Sequence, residues 1–186
     1  MGSIARAIEI IPPETYLERE RTSAIRHEYV NGVVYAMAGA SDRHNRIASN
    51  LHVALGVHLP DRCVPYMADM KLRVALQRAH MFYYPDCMVC CGASDQSRDW
   101  REDPVVLGEV LSPATERVDR TEKFDAYIRL PTLQEYVLIE QAAARVEVFR
   151  RATDWQREVL GPGETLRLGG IDFSIAVDAL YRRVEF

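Results

Sequence analysis

Two acidic residues occupy segments whose other side chains are mainly apolar. Asp86 lies within Tyr84–Cys91 and Glu109 within Val105–Pro113, and Lys123 follows on a segment of helical pattern. A carboxylate in an apolar strand is unfavourable unless something compensates it, and two neighbouring carboxylates repel each other. A divalent cation between them relieves both costs. The pattern predicts metal-dependent phosphodiester hydrolysis, in which the cation polarises the phosphoryl oxygen and acidifies a water molecule. The lysine orients or helps to deprotonate the attacking water, or neutralises charge developing on the phosphate.

Each of these residues also has an ordinary structural interpretation. Asp86 or Glu109 alone can mark a strand end, where solvent or the N–H groups of the next turn satisfy the carboxylate. Lys123 follows Asp119 by four residues, and acid before base at this spacing is a common surface pair that stabilises a helix by about 0.2–0.5 kcal/mol. Two acids in strands followed by a lysine favour the catalytic interpretation.

Composition and charge set limits on the class of protein. The length of 186 residues supports one domain, residues 1–186, with a substantial core. The formal net charge of −4 argues against coating of nucleic acid by bulk electrostatics but allows a local basic groove. No run approaches the ~20 apolar residues of a membrane span. Residues 1–11 lack the apolar region of a secretory signal, so the expected location is cytoplasmic.

Four cysteines, Cys63, Cys87, Cys90 and Cys91, raise the question of a redox or zinc site. Cys87 and Cys90 have Cys-x-x-Cys spacing, but redox pairs occur at helix starts, whereas residues three apart in a strand point to opposite faces. No second Cys/His pair completes a zinc site. We therefore expect small core thiols in a reducing compartment.

The first part of the chain has clear helix and hairpin signals. Proline in the first turn, an Asn-Gly turn and a Ser-Asp cap predict three elements. They are a short helix that opens at Pro12-Pro13-Glu14 and runs to about Arg21, a hairpin of Arg26–Val30 with Val33–Ala38, and a helix capped by Ser41-Asp42 that runs to about His58. The buried face of the second helix is predicted from its i, i+4, i+7 and i+8 apolar residues, which are Ile47, Leu51, Ala54 and Leu55.

The remaining segments predict strands around one further helix. The predicted strands are Val64–Tyr66, Lys71–Leu76, Tyr83–Cys91, Val105–Leu111, Glu135–Glu140 and Arg145–Arg151. The other predicted elements are a surface loop at 92–104, a helix from Thr115 or Asp119 to Leu130 that buries Phe124, Tyr127 and Ile128, a hairpin of Trp155–Leu160 with Glu164–Leu168, and a helical turn at Asp178–Tyr181. Strand alternation places Asp86 on a face with Tyr84 and Met88, and Glu109 on a face with Leu107 and Leu111. The order of elements predicts an α/β or α+β domain around a mixed central β-sheet flanked by helices.

A longer ordered series of motifs resembles one known family. The series comprises His27-Glu28-Tyr29-Val30-Asn31-Gly32, Arg43-His44-Asn45, Tyr84-Pro85-Asp86, Glu109-Val110-Leu111-Ser112-Pro113-Ala114-Thr115-Glu116-Arg117, Asp119-Arg120, Lys123 and Leu133-Gln134-Glu135-Tyr136. It resembles the Uma-type restriction endonucleases of the PD-(D/E)XK nuclease superfamily. The resemblance extends over nearly the whole chain, from about Thr15 to Tyr181, and implies a core at about residues 15–181.

The resemblance implies a restriction-endonuclease-like core and a set of site residues. Asp86 and Glu109 would bind Mg²⁺ or Mn²⁺, with the Val110 carbonyl as a third ligand. The superfamily lysine lies two residues after the second acid, where this chain has Leu111. The resemblance therefore implies a displaced lysine, Lys123, on the following helix. Glu28 matches a family-typical acid and would complete the metal site as a catalytic residue, although pairing with Arg26 or another base is an alternative.

Other residues are weaker candidates for contact with the substrate. His44 at the start of its helix can approach a phosphate, but a polar residue in a first turn needs no catalytic reason. Basic residues that can contact the phosphate backbone are Lys71, Arg73, Arg117, Arg120 and Arg129, with cross-strand pairing or solvent as the alternative for the first two. Gly108 and Ala114 depart from the family pattern, and neither removes a proposed ligand.

Two functions follow as hypotheses. The first is a Mg²⁺- or Mn²⁺-dependent DNA endonuclease that uses Asp86, Glu109 and Lys123. The second is a catalytically inactive nuclease fold that binds nucleic acid or protein. A serine hydrolase is excluded because there is no Gly-x-Ser-x-Gly motif. Edge hairpins and aromatic residues expected to be exposed, Trp155 and Phe186, are compatible with a homodimer, the commonest homo-oligomer.

Overall fold

The computed structural model describes residues 9–77, 79–93 and 95–186. In chain order, the elements are α1 (Pro13–Arg21), β1 (His27–Val30), β2 (Val33–Ala36), α2 (Asp42–His58), β3 (Cys63–Met67), β4 (Lys71–Leu76), β5 (Ala79–Tyr83), β6 (Cys87–Cys91), β7 (Trp100–Arg101), β8 (Pro104–Leu111), α3 (Glu116–Val118), a π-helical turn (Asp119–Lys123), α4 (Phe124–Tyr127), β9 (Glu135–Glu140), β10 (Val146–Arg150), a 3₁₀ turn (Arg151–Thr153), β11 (Arg157–Leu160), β12 (Thr165–Leu168), a 3₁₀ turn (Gly169–Ile171), β13 (Phe173–Ala176) and α5 (Val177–Leu180).

The strands form three sheets. The central sheet has the order β11-β10-β9-β8-β6-β3, in which β8 and β9 are parallel and the other pairs antiparallel. A five-stranded sheet has the order β2-β1-β5-β4-β7, with β4 and β7 parallel. Strands β12 and β13 form a separate pair. The predicted mixed α+β architecture is confirmed.

Two apolar cores cover the two faces of the central sheet. On one face, α2 and the C-terminal elements pack on side chains such as Val106 and Val110. On the other face, β4, β5 and α4 pack on side chains such as Leu107 and Leu111. Successive residues of β8 alternate between these cores, as expected for a strand that is buried on both sides. This alternation places Glu109 on the same face as Leu107 and Leu111, as predicted.

Helix α2 begins and ends as its sequence predicts. The Ser41 hydroxyl accepts a hydrogen bond from the main-chain N–H of His44 at 3.1 Å, which satisfies one of the free donors of the first turn. Its buried face contains Ile47, Leu51 and Leu55, as predicted, together with Ala48, while the predicted Ala54 is half-buried against the same core. The helix lies against the central sheet and places its first turn beside Asp86.

The helix after β8 contains a π-helical turn at Asp119–Lys123 and ends at Tyr127, three residues before the predicted Leu130. Leu130 precedes Pro131, and a residue before proline is disfavoured in the α conformation, so the helix ends early. The π turn includes both Asp119 and Lys123, which are buried. Such turns recur at functional sites.

The predicted strand Tyr83–Cys91 is wrong, because the chain passes from one sheet to another within it. Strand β5 ends at Tyr83 in the five-stranded sheet, and β6 begins at Cys87 in the central sheet. Pro85 lies between them and has no N–H for a ladder hydrogen bond. Asp86 is therefore at the crossover between two sheets, not on a strand face with Tyr84 and Met88.

The predicted C-terminal hairpin is also wrong. Strand β11 pairs with β10, whereas β12 pairs with β13, so the two strands that flank residues 161–163 belong to different sheets. Gly163 has φ of +80°, which makes the turn possible without pairing its flanking strands. Trp155, which was expected to be exposed, is half-buried and lies against the Arg151 guanidinium, whereas Phe186 is 56% exposed.

The expectation of four core thiols holds for two of the cysteines. Cys87 and Cys90 are free and buried, and burial raises the pKa of each thiol to about 12, which keeps them unreactive. The expectation is wrong for Cys63 and Cys91, which form a disulfide between β3 and β6. The antiparallel register places them directly opposite each other, with Cα atoms 4.0 Å apart.

None of the helices in the described ranges is long and apolar enough to span a membrane.

Gly108 lies in β8, where an added Cβ would be 3.5 Å from the Cβ of Cys87 and 3.6 Å from Cδ2 of Leu51. Both separations are ordinary van der Waals contacts, so the glycine is not required by close packing.

Candidate active site

Glu109 is a buried carboxylate on β8, with 2% of the residue exposed. Its Oε1 atom accepts hydrogen bonds from Tyr127 Oη at 3.0 Å and Lys123 Nζ at 3.2 Å. Its Oε2 atom faces the main-chain N–H of Asp86, with an N–O distance of 3.4 Å. Two strands of the central sheet and the helix after β8 therefore meet at this carboxylate.

Asp86 lies beside Glu109 at the crossover from β5 to β6. Its Oδ2 atom accepts a hydrogen bond of 2.7 Å from the main-chain N–H of Val110. The same oxygen is 3.0 Å from Nε2 of His44. The side chain remains 18% exposed, so the carboxylate is accessible from the first turn of α2. Asp86 and Glu109, predicted to meet, are adjacent in the structure.

Lys123 is buried among three carboxylates. Its Nζ atom lies 3.2 Å from Glu28, 3.2 Å from Glu109 and 3.0 Å from Asp119. The lysine side chain is 6% exposed and that of Asp119 is 2% exposed, so their contact is not the exposed surface pair of the alternative interpretation. The helix after β8 thus delivers the lysine beside the second acid, as the resemblance implies.

Glu28 enters the site from β1 of the other sheet. Its Oε1 atom faces Lys123 and also the main-chain N–H of Tyr84, at an N–O distance of 3.4 Å. The alternative partner Arg26 instead forms an ion pair with Asp69 at 3.1 Å. Glu28 therefore lies in the group of acids predicted from the sequence, and it pairs there with another base, Lys123, as the alternative interpretation expected.

The charges of this group are unequal. Four carboxylates (Glu28, Asp86, Glu109 and Asp119) surround one lysine. Burial raises the pKa of Glu109 well above its ordinary value; Lys123 opposes this shift, and the neighbouring acids add to it. Burial alone would lower the pKa of Lys123, but Glu109, Glu28 and Asp119 together hold it well above its ordinary value. The lysine is therefore an ammonium ion, and the site has room in its charge balance for further positive charge.

His44 has a closer relation to Asp86 than its sequence context indicates. Burial favours the neutral ring, but the hydrogen bond to Asp86 and the negative charges of Asp86 and Asp119 together outweigh burial and raise the pKa of His44. Its Nδ1 atom is buried and has no hydrogen-bond partner among the described residues. The Arg43-His44-Asn45 motif after the helix cap is the sequence signal for this position.

Two residues of the site have little signal in the sequence. Asp119 appeared only in the family motif and as the partner of Lys123 in a surface pair, and Tyr127 only as a buried residue of a helix. Tyr136 Oη donates a hydrogen bond of 3.0 Å to the main-chain oxygen of Asp119 in the π turn. These contacts connect elements far apart in sequence, so residue spacing does not reveal them.

The donor set suits a hard divalent cation. The carboxylates of Asp86 and Glu109, with the main-chain carbonyl of Val110 directly after Glu109 in sequence, are oxygen ligands of the kind that Mg²⁺ and Mn²⁺ prefer. Within residues 9–77, 79–93 and 95–186, no three His, Cys, Asp or Glu side chains are already grouped as ligands. The proposed ligand set uses only two carboxylate side chains, and its third ligand is a main-chain carbonyl. The excess of negative charge at the site also favours a cation.

The basic residues proposed for the phosphate backbone mostly pair with acids. Lys71 lies 3.0 Å from Asp99, and Arg73 lies 3.6 Å from Glu102, in agreement with the pairing alternative. The pairs of the helix after β8 are Arg117 with Glu122, and Arg120 with Glu116, Glu140 and Glu147. Arg129 is exposed at the margin of a separate cavity beside Ile11 and His80.

The fold is similar to that of a solved protein. A chain described as "a putative nuclease belonging to DUF820", from Anabaena variabilis, superposes with a TM-score of 0.79 over 94% of this chain and 99% of that one, at 16% sequence identity. At this identity the likeness shows a shared fold.

Sequence comparisons establish the family. The chain is 32% identical to "Uncharacterized protein slr1290" of Synechocystis over 95% of its own length and 94% of the relative's, and 33% identical to "Uncharacterized protein sll1609" over 82% and 88%. Residues 13–178 match the family model described as "Uma2: Putative restriction endonuclease". The match includes all four acids and Lys123. The chain therefore belongs to the Uma2 family of restriction-endonuclease-like proteins.

Proposed function

We propose that this protein is a Mg²⁺- or Mn²⁺-dependent endonuclease that hydrolyses DNA phosphodiester bonds. The observation that carries the proposal is the meeting of Asp86 and Glu109 beside the buried Lys123 ammonium. Carboxylates supply cation ligands, and the ammonium supplies positive charge where a phosphate would gain negative charge. Membership of a family of nuclease fold is consistent with this chemistry.

Asp86, Glu109 and the Val110 carbonyl would hold the cation. When bound, a divalent cation polarises the phosphoryl oxygen and acidifies a water molecule. The main-chain N–H of Val110 fixes Asp86, and Tyr127 fixes Glu109, so both carboxylates are oriented before any ligand arrives. Such preorganisation avoids reorganisation during the reaction.

Lys123 acts in this proposal as a hydrogen-bond donor and a positive charge. Its raised pKa keeps the amine protonated, so it does not remove a proton from the attacking water. Glu28 from β1 and Asp119 from the same π turn hold the ammonium in place. His44, in contact with Asp86 and partly exposed, is a candidate donor to the phosphate.

One observation favours a catalytically inactive nuclease-fold module as a second candidate. Lys123 already forms ion pairs with three of the four acids, so a purely structural network is possible at this position. Such a module would bind nucleic acid or protein without hydrolysis. The two candidates differ in whether metal ions confer activity.

Conversion of supercoiled plasmid DNA separates these candidates. We expect nicking or cutting with Mg²⁺ or Mn²⁺ and none with EDTA. Asp86→Asn should lower the rate at least ~10²–10³-fold, because it weakens cation binding while keeping similar volume. Asp61→Asn, at an exposed carboxylate beyond the far end of α2, is the matched control and should retain the wild-type rate. Equal rates in wild type and Asp86→Asn would contradict the proposal.

A further inference from the structure

An open cavity of about 620 Å³ lies beside the first turn of α2. Three arginines line it: Arg43 and Arg46 from the helix, and Arg183 from the C-terminal segment. We call this feature the arginine cavity. It contrasts with the other basic residues considered above, most of which are paired with acids.

The arginine cavity is next to the proposed active site by two independent connections. Arg43 directly precedes His44, whose ring is 3.0 Å from Asp86. On the other side, Ser41 donates a hydrogen bond of 2.7 Å to the side chain of Gln141, another lining residue. Gln141 follows β9, and β9 runs parallel to β8, which contains Glu109. Both connections therefore link the cavity to the parallel strands β8 and β9 of the central sheet.

The cavity carries an excess of positive charge. Its lining includes three arginines and two acids, Asp42 and Glu185, whereas the whole chain has a formal charge of −4. Arg46 lies 2.6 Å from Asp42. Arg43 and Arg183 are exposed and form no ion pair with another described residue. Two guanidinium groups are therefore available to an anionic ligand.

Hydrogen bonds fix the wall that carries Arg183. The Asn50 side chain donates to the main-chain oxygens of Leu180 at 2.8 Å and Arg182 at 2.9 Å. Arg46 donates to the main-chain oxygen of Arg183 at 3.4 Å. The C-terminal segment is thus held along α2, and the position of Arg183 relative to Arg43 is set by the fold.

We propose that the arginine cavity binds the phosphodiester backbone of the DNA substrate next to the bond that is cut. The inference rests on the proposed nuclease function and adds a binding subsite to it. Arginine forms bidentate hydrogen bonds with phosphate, and a backbone contact positions DNA without reading its sequence. Local positive charge also lets an acidic protein bring a polyanion to an acidic catalytic site.

The test measures binding of a fluorescein-labelled duplex by anisotropy in EDTA, so that cleavage is not needed. The variant combines Arg43→Gln with Arg183→Gln, which removes two charges from exposed positions. Loss of two phosphate contacts should reduce the slope of log K against log salt by about 1.8. Cleavage with Mn²⁺ should show a raised KM and an unchanged kcat. Arg62→Gln is the matched control, because α2 is 17 residues and about 25 Å long and Arg62 follows its other end.

Each outcome has a distinct meaning. A reduced salt slope with the control unchanged supports the subsite. A wild-type slope and KM in the double variant, in a protein that still cuts DNA, would overturn the subsite and leave the nuclease function standing. No binding and no cleavage by the wild-type protein at low salt would overturn both. Circular dichroism of the variants checks that each one is folded.

Discussion

Replacing Lys123 with methionine is expected to lower the free energy of unfolding by about 3–5 kcal/mol at neutral pH and to abolish DNA cleavage. Methionine keeps much of the side-chain volume but removes the one cation beside Glu28, Glu109 and Asp119. A buried carboxylate that loses its partner is strongly destabilising, and here three lose it together. Urea unfolding followed by circular dichroism measures the loss.

The decrease in the free energy of unfolding caused by Lys123→Met should become smaller as the pH falls. As the pH falls, the uncompensated carboxylates take up protons, so the difference between Lys123→Met and wild type should shrink. Lys71→Met is the matched control, since Lys71 is the other lysine of the chain and is also buried. Its partner Asp99 is 38% exposed and can be solvated, so a smaller loss is expected. Equal losses in the two variants at all pH values would contradict the assigned role of Lys123.

Replacing Glu109 with glutamine is expected to separate stability from activity. The amide oxygen can still accept hydrogen bonds from Tyr127 and Lys123, while Lys123 keeps its contacts with Glu28 and Asp119. Removal of a buried charge should raise the free energy of unfolding by about 1–3 kcal/mol at neutral pH without metal. Metal-dependent cleavage should fall at least ~10²–10³-fold, because a cation ligand is lost.

The pH dependence of this gain follows from the pKa of Glu109, which is raised in the folded state. The protonated carboxyl stabilises the wild-type fold below the unfolded-state pKa, and this contribution is lost as pH rises through the folded-state pKa. The gain in free energy of unfolding from Glu109→Gln should therefore be near zero below the unfolded-state pKa of Glu109. Between the unfolded-state and folded-state pKa values it should grow by up to about 1.4 kcal/mol per pH unit. Glu18→Gln, at an exposed position on α1, serves as control. A gain that is independent of pH would contradict burial of an ionisable Glu109.

The local elements were predictable where a few neighbouring residues determine them. The cap at Ser41, the Asn31-Gly32 turn and the periodicity of α2 each depend on residues close in sequence, and the structure confirms them. Strand partners depend on distant residues, which explains the errors at Tyr84–Asp86 and at residues 161–163. The turn before β5 was missed because Gln77, with φ of +40°, is not a residue typical of that conformation.

The candidate site was predictable in its chemistry but not in its surroundings. Asp86 and Glu109 were identified because charged residues in apolar segments are costly, and Lys123 because of the family motif. The burial of Asp119, the contact of His44 with Asp86 and the disulfide of Cys63 with Cys91 arise from the meeting of separate elements. Several basic residues were candidates for contact with the phosphate backbone. In the fold most of them form ion pairs with acids, whereas Arg43 and Arg183 form none with another described residue.

The most direct test of the account is calorimetric titration of the protein with Mn²⁺. The wild-type protein should bind Mn²⁺, because Asp86 and Glu109 supply neighbouring carboxylate oxygens within a group of four acids. Binding should be lost in Asp86→Asn and Glu109→Gln and retained in Asp61→Asn. Mn²⁺ binding that is absent from the wild-type protein, or unchanged by loss of either carboxylate, would contradict a metal-dependent nuclease centred on Asp86 and Glu109.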